Sequence, residues 1–154
     1  MNFYVLIASH SKVEGANITG SQIAKTRLRN GEWPLYKNTR YRHLIKSGDK
    51  VVIYVSRGNE SSAFHFIGSG AVKDVQECEK GLFIEPFGKR SPVSAILLED
   101  CEVFTTPIKI RGLLNYLSFI PKNVTNWGYA LQGGCRIISA DDFELIVSRS
   151  ENRF

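Results

Sequence analysis

Residues 46–72 read KSGDKVVIYVSRGNESSAFHFIGSGAV. Ser47-Gly48-Asp49 is a turn signal, and Val51 to Val55 (VVIYV) is the β-branched and aromatic run that suits a buried strand. Arg57 to Ser62 is polar, holds Gly58 and Asn59, and predicts a loop. Strand character resumes from Ala63 to Val72. Gly68 and Gly70 fall inside this second run, where glycine marks a bulge, a bend or a close approach of another group to the backbone. The pair predicts two strands crossing the centre of a small β-barrel. Alternation sends Val51, Ile53 and Val55 to one face and Val52, Tyr54 and Ser56 to the other. Phe64 and Phe66 share a face, with His65 opposite.

Upstream, Phe3 to Ala8 (FYVLIA) is a continuous apolar run, the pattern of another buried strand. Ser9-His10-Ser11 is its polar exit. His10 alone reads as an exposed loop residue sooner than as a hydrogen-bonding group of a pocket. Gly15, Asn17 and Gly20 predict irregular chain. Ser21 to Arg29 predicts a helix capped by Ser21 and stopped at Asn30-Gly31. Pro34 pushes Trp33 towards extended backbone, which makes Trp33 a core plug or a stacking surface. A short helix is expected over Arg40 to Lys46.

Downstream, Lys73 to Lys80 is polar, Gly81 to Phe87 is strand-like, Gly88 to Pro92 is a turn, and Val93 to Leu98 is apolar again, a meander in outline. Thr106-Pro107 resembles an N-cap followed by a first-turn proline. With Ile108, Ile110, Leu113, Leu114, Leu117 and Ile120 it predicts a helix ending at Pro121. Cys135 to Ile138 predicts a last strand. Ser139-Ala140-Asp141-Asp142 predicts a capped helix docked by Phe143, Ile146 and Val147.

The chain of 154 residues is expected to form one domain over 1–150 with a tail at 151–154. Hydrophobic residues make up 43%, enough for a core, and no apolar run reaches the roughly 18 residues of a membrane span. The opening MNFYVLIASH lacks the basic n-region of a signal peptide. Cys78, Cys101 and Cys135 form no C-x-x-C pair, so reduced thiols, no zinc site and a cytoplasmic location are expected. The net charge of +5 is concentrated: Lys25, Arg27, Arg29, Lys37, Arg40, Arg42 and Lys46 against Glu32 give +6 over Ser21–Lys46, leaving −1 elsewhere. Such a segment suits an anionic partner or a solvated basic surface.

No recognisable catalytic pattern accompanies it. His10, His43 and His65 have no metal-ligand spacing, and no H-E-x-x-H, G-x-S-x-G or P-loop sequence is present. A non-catalytic protein with no cofactor and no metal is expected.

The block GEWPLYKNTRYRHLIKSGDKVVIYVS (31–56), the segment SAFHFIGSGAV (62–72) with its F-x-G-x-x-x-V pattern, and FTTPIKIRGLLNYLSFIPKNVTNWGYALQGGCRIISADDFELI (104–146) occur in an order that resembles the EVE domain. The likeness extends from Asn2 to about Val147. It implies an α+β, PUA-like mixed β-barrel of about five or six strands with surrounding short helices, related to the YTH and ASCH domains. It further implies a module that reads a modified nucleic-acid base, methylated or hydroxymethylated, by taking it into an aromatic pocket. By the same resemblance Trp33 stands at the place of a pocket wall, and Ser9, His10 and Ser11 at the base edge. Trp127 matches a late family tryptophan, in pocket or core. Tyr54, which could wall the pocket or cap the core, and Phe64 are the strand residues named as further pocket walls. Lys25, Arg27, Arg29, Lys37, Arg40 and Arg42 are expected to attract the phosphate backbone. Pro34 departs from the small residue common after that tryptophan and offers no N–H to a ligand. The implied partner is DNA or RNA carrying a modified base, with an effector such as a nuclease or helicase as a candidate protein partner and no membrane. The alternatives are a small-molecule or nucleotide-binding module using the same pocket, or a nucleotide-modifying enzyme.

Overall fold

Eight strands and two α-helices make up the computed structural model, which describes residues 1–78, 91–121 and 124–151. β1 (Phe3–Ala8) and β5 (Lys50–Val55) run parallel, residue for residue from Phe3 opposite Lys50 to Ala8 opposite Val55. They are adjacent interior strands of a six-stranded sheet. Its order is β4 (Glu32–Leu35), β7 (Ser94–Lys109), β6 (His65–Glu77), β5, β1, β8 (Cys135–Ile138). β2 (Ser11–Val13) and β3 (Ala16–Ile18) form a separate two-stranded ribbon. The sheet curls into a half-barrel with the two helices packed on it, an α+β fold as expected.

Both faces of the central strands are covered, which is why their sequences are continuously apolar rather than alternating. Tyr4, Leu6, Val51, Ile53 and Val55 pack inside the curl with Ala24 and Leu28 of α1 (Gly20–Asn30) and with Trp33. Val5, Val52, Tyr54 and Phe66 face the other way, against Phe143 and Ile146 of α2 (Ala140–Glu151) and against Leu113 and Leu117. The parity read from the sequence therefore separates two cores.

Three register shifts between β6 and β7 bend these long strands. The first, between Phe66 and Gly68, skips from Ile108 to Val103 on β7. It accommodates the segment where a helix is expected from Thr106. The chain there stays in β7 through Lys109, and only a 3₁₀ turn, Ile110–Gly112, follows. Proline is tolerated in a strand at such a bulge, so Thr106-Pro107 imitates a helix start without making one. Gly68 lies at the same bulge, and a Cβ there would stand 2.5 Å from the Glu102 carbonyl oxygen and 2.7 Å from Leu28 Cδ1.

Other expectations shift at the boundaries. α1 is capped by Thr19, not Ser21: Gln22 N–H donates to Thr19 Oγ1 (3.1 Å) and Thr19 N–H to Gln22 Oε1 (3.0 Å). Its C-cap is Gly31, at φ 68°. Arg40 to Leu44 forms turns rather than a helix, with Tyr41 at φ 61°. β6 continues through the polar Lys73–Glu77. Ser139 caps α2 as expected, accepting the Asp142 N–H (3.1 Å), while the Asp142 carboxylate takes Ser118 N–H (2.9 Å) and Ser118 O–H (2.6 Å). α2 extends through Glu151; residues 152–154 of the expected tail and the strand-like piece expected at Gly81–Phe87 lie outside the described residues. Among the described residues no helix is long and apolar enough to cross a membrane.

Candidate ligand site at the open end of the sheet

β1 and β5 end together at Ala8 and Val55, and Ser56 N–H donates to the Ala8 carbonyl (3.0 Å). Gly20, the first residue of α1, crosses there. An added Cβ would lie 3.0 Å from both the Ala8 oxygen and Val55 Cγ1, so glycine lets the helix seat directly on the strand ends. α1 then runs across the inner face and its C-cap returns the chain as β4, the edge strand, where Pro34 fits. Trp33 on β4 is thereby brought beside the exit of β1.

Between them is a cavity of about 490 Å³, within the roughly 300–1,000 Å³ of small-ligand sites. Trp33, Pro34, Ile7 and Ile23 supply apolar wall; Tyr36, Asn38 and Thr39 come from the turn after β4; Ser9, His10 and Ser11 come from the exit of β1. Gly133 and Gly134 close the far side. Both have positive φ (85° and 79°), and they are tied in place because Arg40 N–H donates to the Gly133 carbonyl and Ile7 N–H to the Gly134 carbonyl, each at 3.0 Å. The Arg27 guanidinium carbon lies 4.7 Å from the centroid of the Trp33 ring. Ser9 and Ser56 hydroxyls share a 2.8 Å hydrogen bond, and Thr39 Oγ1 accepts the Tyr36 N–H at 2.9 Å. The cavity thus offers one indole, hydroxyl and amide groups, and a cation, with no carboxylate in its wall.

Of the residues expected from the sequence, Trp33, Ser9, His10 and Ser11 meet here, and so does Arg27 from the basic segment. Trp33 also belongs to the core, with 2% of its surface exposed, so plug and wall are one residue. Tyr54 lies elsewhere, buried against Phe66 with ring centroids 5.2 Å apart; burial pushes its phenol pKa upward, an effect the Arg111 charge moderates. Phe64 and Trp127 meet edge to face at 5.8 Å, outside this cavity. Lys25 and Arg29 lie about 160–200° around the helix from Arg27, so the charge run does not form one face. Lys37 and Arg40 are exposed on the turn after β4, the Arg40 side chain lying across Gly133, and Arg42 donates from Nε to the Lys37 carbonyl (3.2 Å). Asn38, Thr39, Gly133 and Gly134 were not anticipated; the Gly-Gly pair was the available signal. Among the described residues no group of three or more His, Cys, Asp or Glu gathers to hold a metal.

No protein-family model and no curated protein matches the sequence. Solved structures do match it in fold. The human THYN1 protein, in complex with 5-methylcytosine-containing DNA, superposes with a TM-score of 0.60 at 13% identity over 100% of both chains. The N-terminal domain of Staphylothermus marinus McrB gives 0.61 at 15% identity, over 96% of this chain and 93% of that one. The DUF55 domain of human thymocyte nuclear protein 1 gives 0.61 at 13% identity, over 98% and 99%. The chain shares its fold with these domains, as the sequence resemblance implied it would with its own relatives.

Proposed function

We propose that this EVE-like domain is a non-catalytic nucleic-acid reader that seats one unstacked, modified base in the cavity beside Trp33. The observation that carries the reading is the convergence of Trp33, Ser9, His10, Asn38 and the Gly133-Gly134 backbone around one 490 Å³ space at the open end of the sheet. An indole gives a stacking surface, and the hydroxyl and amide groups give partners for a base edge. The 5-methylcytosine-containing DNA bound to human THYN1 supports DNA as the polymer and a methylated base as the ligand.

The energetics suit such a ligand. Extruding a base costs a few kcal/mol, and stacking on an aromatic ring returns about 1–3 kcal/mol. A buried methyl adds only about 0.8 kcal/mol, roughly a fourfold preference, so selectivity requires a polar group that the unmodified base satisfies badly. Ser9, His10 and Asn38 are the groups proposed for that role. Arg27, Lys37 and Arg40, at or near the rim, are proposed to attract phosphates.

Fluorescence polarisation tests the reading. Labelled DNA and RNA, single- and double-stranded, are compared unmodified and with 5-methylcytosine, 5-hydroxymethylcytosine or N6-methyladenine, at two salt concentrations. A tenfold preference for one modification in DNA is expected. Salt-sensitive binding without preference sinks the modified-base pocket, and turnover of a nucleotide by the pure protein makes it an enzyme instead.

A further inference from the structure

A second cavity, of about 710 Å³, adjoins the first, and His10 lines both. Its walls come from the β2–β3 ribbon (Lys12, Asn17, Ile18), from Thr19, and from the loop between β5 and β6 (Arg57, Asn59, Phe64). Its chemistry differs from that of the first cavity. Lys12 and Arg57 are exposed cations. The one carboxylate, Glu60, is engaged by the Ser21 N–H, 3.3 Å from its Oε2. Phe64 is half-buried and held at φ 62°, a conformation that costs a bulky residue of order 1–3 kcal/mol and persists only where surroundings enforce it. Here Phe64 N–H donates to the Val55 carbonyl (2.8 Å), Ile110 N–H donates to the Phe64 carbonyl (3.0 Å), and the Phe64 and Trp127 rings meet in a T-shaped contact. An aromatic ring fixed in this way beside two cations is the combination that holds a nucleotide: ring on base, cations on phosphate.

We infer that this second cavity binds the nucleotide adjoining the one whose base occupies the first, the strand passing over His10 between Phe64 on one side and Trp33 on the other. The inference rests on the reading of the first cavity given above. It makes the recognised unit a short single-stranded stretch rather than an isolated base.

The test compares 5-methyl-2′-deoxycytidine and N6-methyl-2′-deoxyadenosine, each as the free nucleoside and as the centre of a thymidine trinucleotide, by NMR titration and calorimetry. The trinucleotide is expected to bind about tenfold or more tighter than its nucleoside, the increment of one stacked base with its phosphate. In the Lys12→Ala/Arg57→Ala variant that ratio is expected to fall below about threefold while nucleoside affinity stays unchanged; both side chains are exposed, so folding is preserved. Lys46→Ala/Lys73→Ala removes the same charge at the opposite end of β5 and keeps the ratio. Phe64→Asn, a residue that accepts positive φ, lowers the ratio independently of charge. Nucleoside binding with a ratio that none of the cavity variants changes overturns this inference and leaves the first-cavity reading intact. Failure of every nucleoside and trinucleotide to bind the wild-type protein overturns both.

Discussion

The Arg27 guanidinium carbon stands 4.7 Å from the centre of the Trp33 ring. A base stacked between two such planar groups needs about 3.5 Å on each side, or roughly 7 Å between them. No base enters that gap while Arg27 stays where it is. Stacking on Trp33 therefore requires the arginine to swing off the ring, giving up a cation–π contact worth about 0.5–2 kcal/mol. Arg27 consequently acts twice on a nucleic acid, as an opponent of the base and as a cation near its phosphates. A neutral nucleoside separates the two effects. Arg27→Ala is expected to bind the free modified nucleoside about 2- to 30-fold more tightly, measured by quenching of tryptophan fluorescence. Unchanged or weaker nucleoside binding shows that the ligand does not use the face that Arg27 covers.

Trp33 is both wall and core, so its alanine variant confuses two losses. Deleting a buried tryptophan side chain costs about 3–5 kcal/mol of stability. Trp33→Phe keeps an aromatic face and most of the packing with Leu35 and Ile96, whereas Trp33→Leu keeps packing alone. Both are expected to fold, with urea midpoints lowered by the equivalent of about 1–3 kcal/mol. The leucine variant is expected to lose at least tenfold in affinity for the modified oligonucleotide, and the phenylalanine variant much less. Equal affinities in the two variants would mean that the ring is structural only.

The strands FYVLIA and KVVIYV, their division between two cores, and the caps at Gly31 and Ser139 were legible because each depends on a few adjacent residues. Thr106-Pro107 misled because its local preference for a helix start is overridden by a distant partner: β6 supplies the ladder and a bulge takes up the proline. The β2–β3 ribbon was hidden for a related reason. Glu14-Gly15 makes the turn at positive φ (52° and 81°), but strands of three residues each are too short for an alternation to stand out. At the site, Trp33, Ser9 and His10 were named through resemblance and order along the chain. Tyr54 was misplaced into the pocket wall because parity identifies a face of a strand without saying which of two covered faces opens to a ligand. The charge run read as one patch because the linear sequence does not display the rotation of α1.

Gly68 gives a sharp test of the packing that brings α1 to the sheet. Gly68→Ala places a methyl 2.5 Å from a backbone oxygen that cannot rotate away, and 2.7 Å from Leu28 of α1. The strand or the helix must shift, and a stability loss of about 1–3 kcal/mol or more is expected. At Gly70 the nearest atom to the added methyl, Cys101 Sγ, is 3.5 Å away, an ordinary contact. Gly70→Ala is therefore expected to leave the urea midpoint within about 0.5 kcal/mol of wild type. Two variants of equal stability would place the α1–β6 approach elsewhere. Because Gly68 packs against the helix that supplies Ile23 to the cavity wall, its variant is also expected to weaken ligand binding, whereas Gly70→Ala is not.

Cys135 supplies the pH dependence. It is fully buried on β8 within the inner core, and burial pushes its thiol up to about 12. The unfolded thiol titrates near 8.5. A folded-state value raised above the unfolded one means that the unfolded chain loses its proton first. The contribution to stability is complete below about pH 8.5 and is lost progressively as pH rises towards 12. Tyr54 and Tyr4, both raised chiefly by burial, act in the same direction from about pH 10 upward. Urea midpoints are therefore expected to fall steadily from pH 8 to pH 11. Cys135→Ala lacks the titrating thiol, so its decline between pH 8.5 and 10 is expected to be shallower, although it starts from lower stability because of the lost packing. Alkylation reports the same burial in a second way. At pH 8, iodoacetamide is expected to label the accessible Cys101 slowly, since partial desolvation of its sulfur and the neighbouring Asp100 charge raise its thiol, and to label Cys135 only in denaturant. Prompt labelling of Cys135 in the native protein, read by mass spectrometry, would show that β8 opens and that the edge beside Gly133 and Gly134 is not the fixed wall described above.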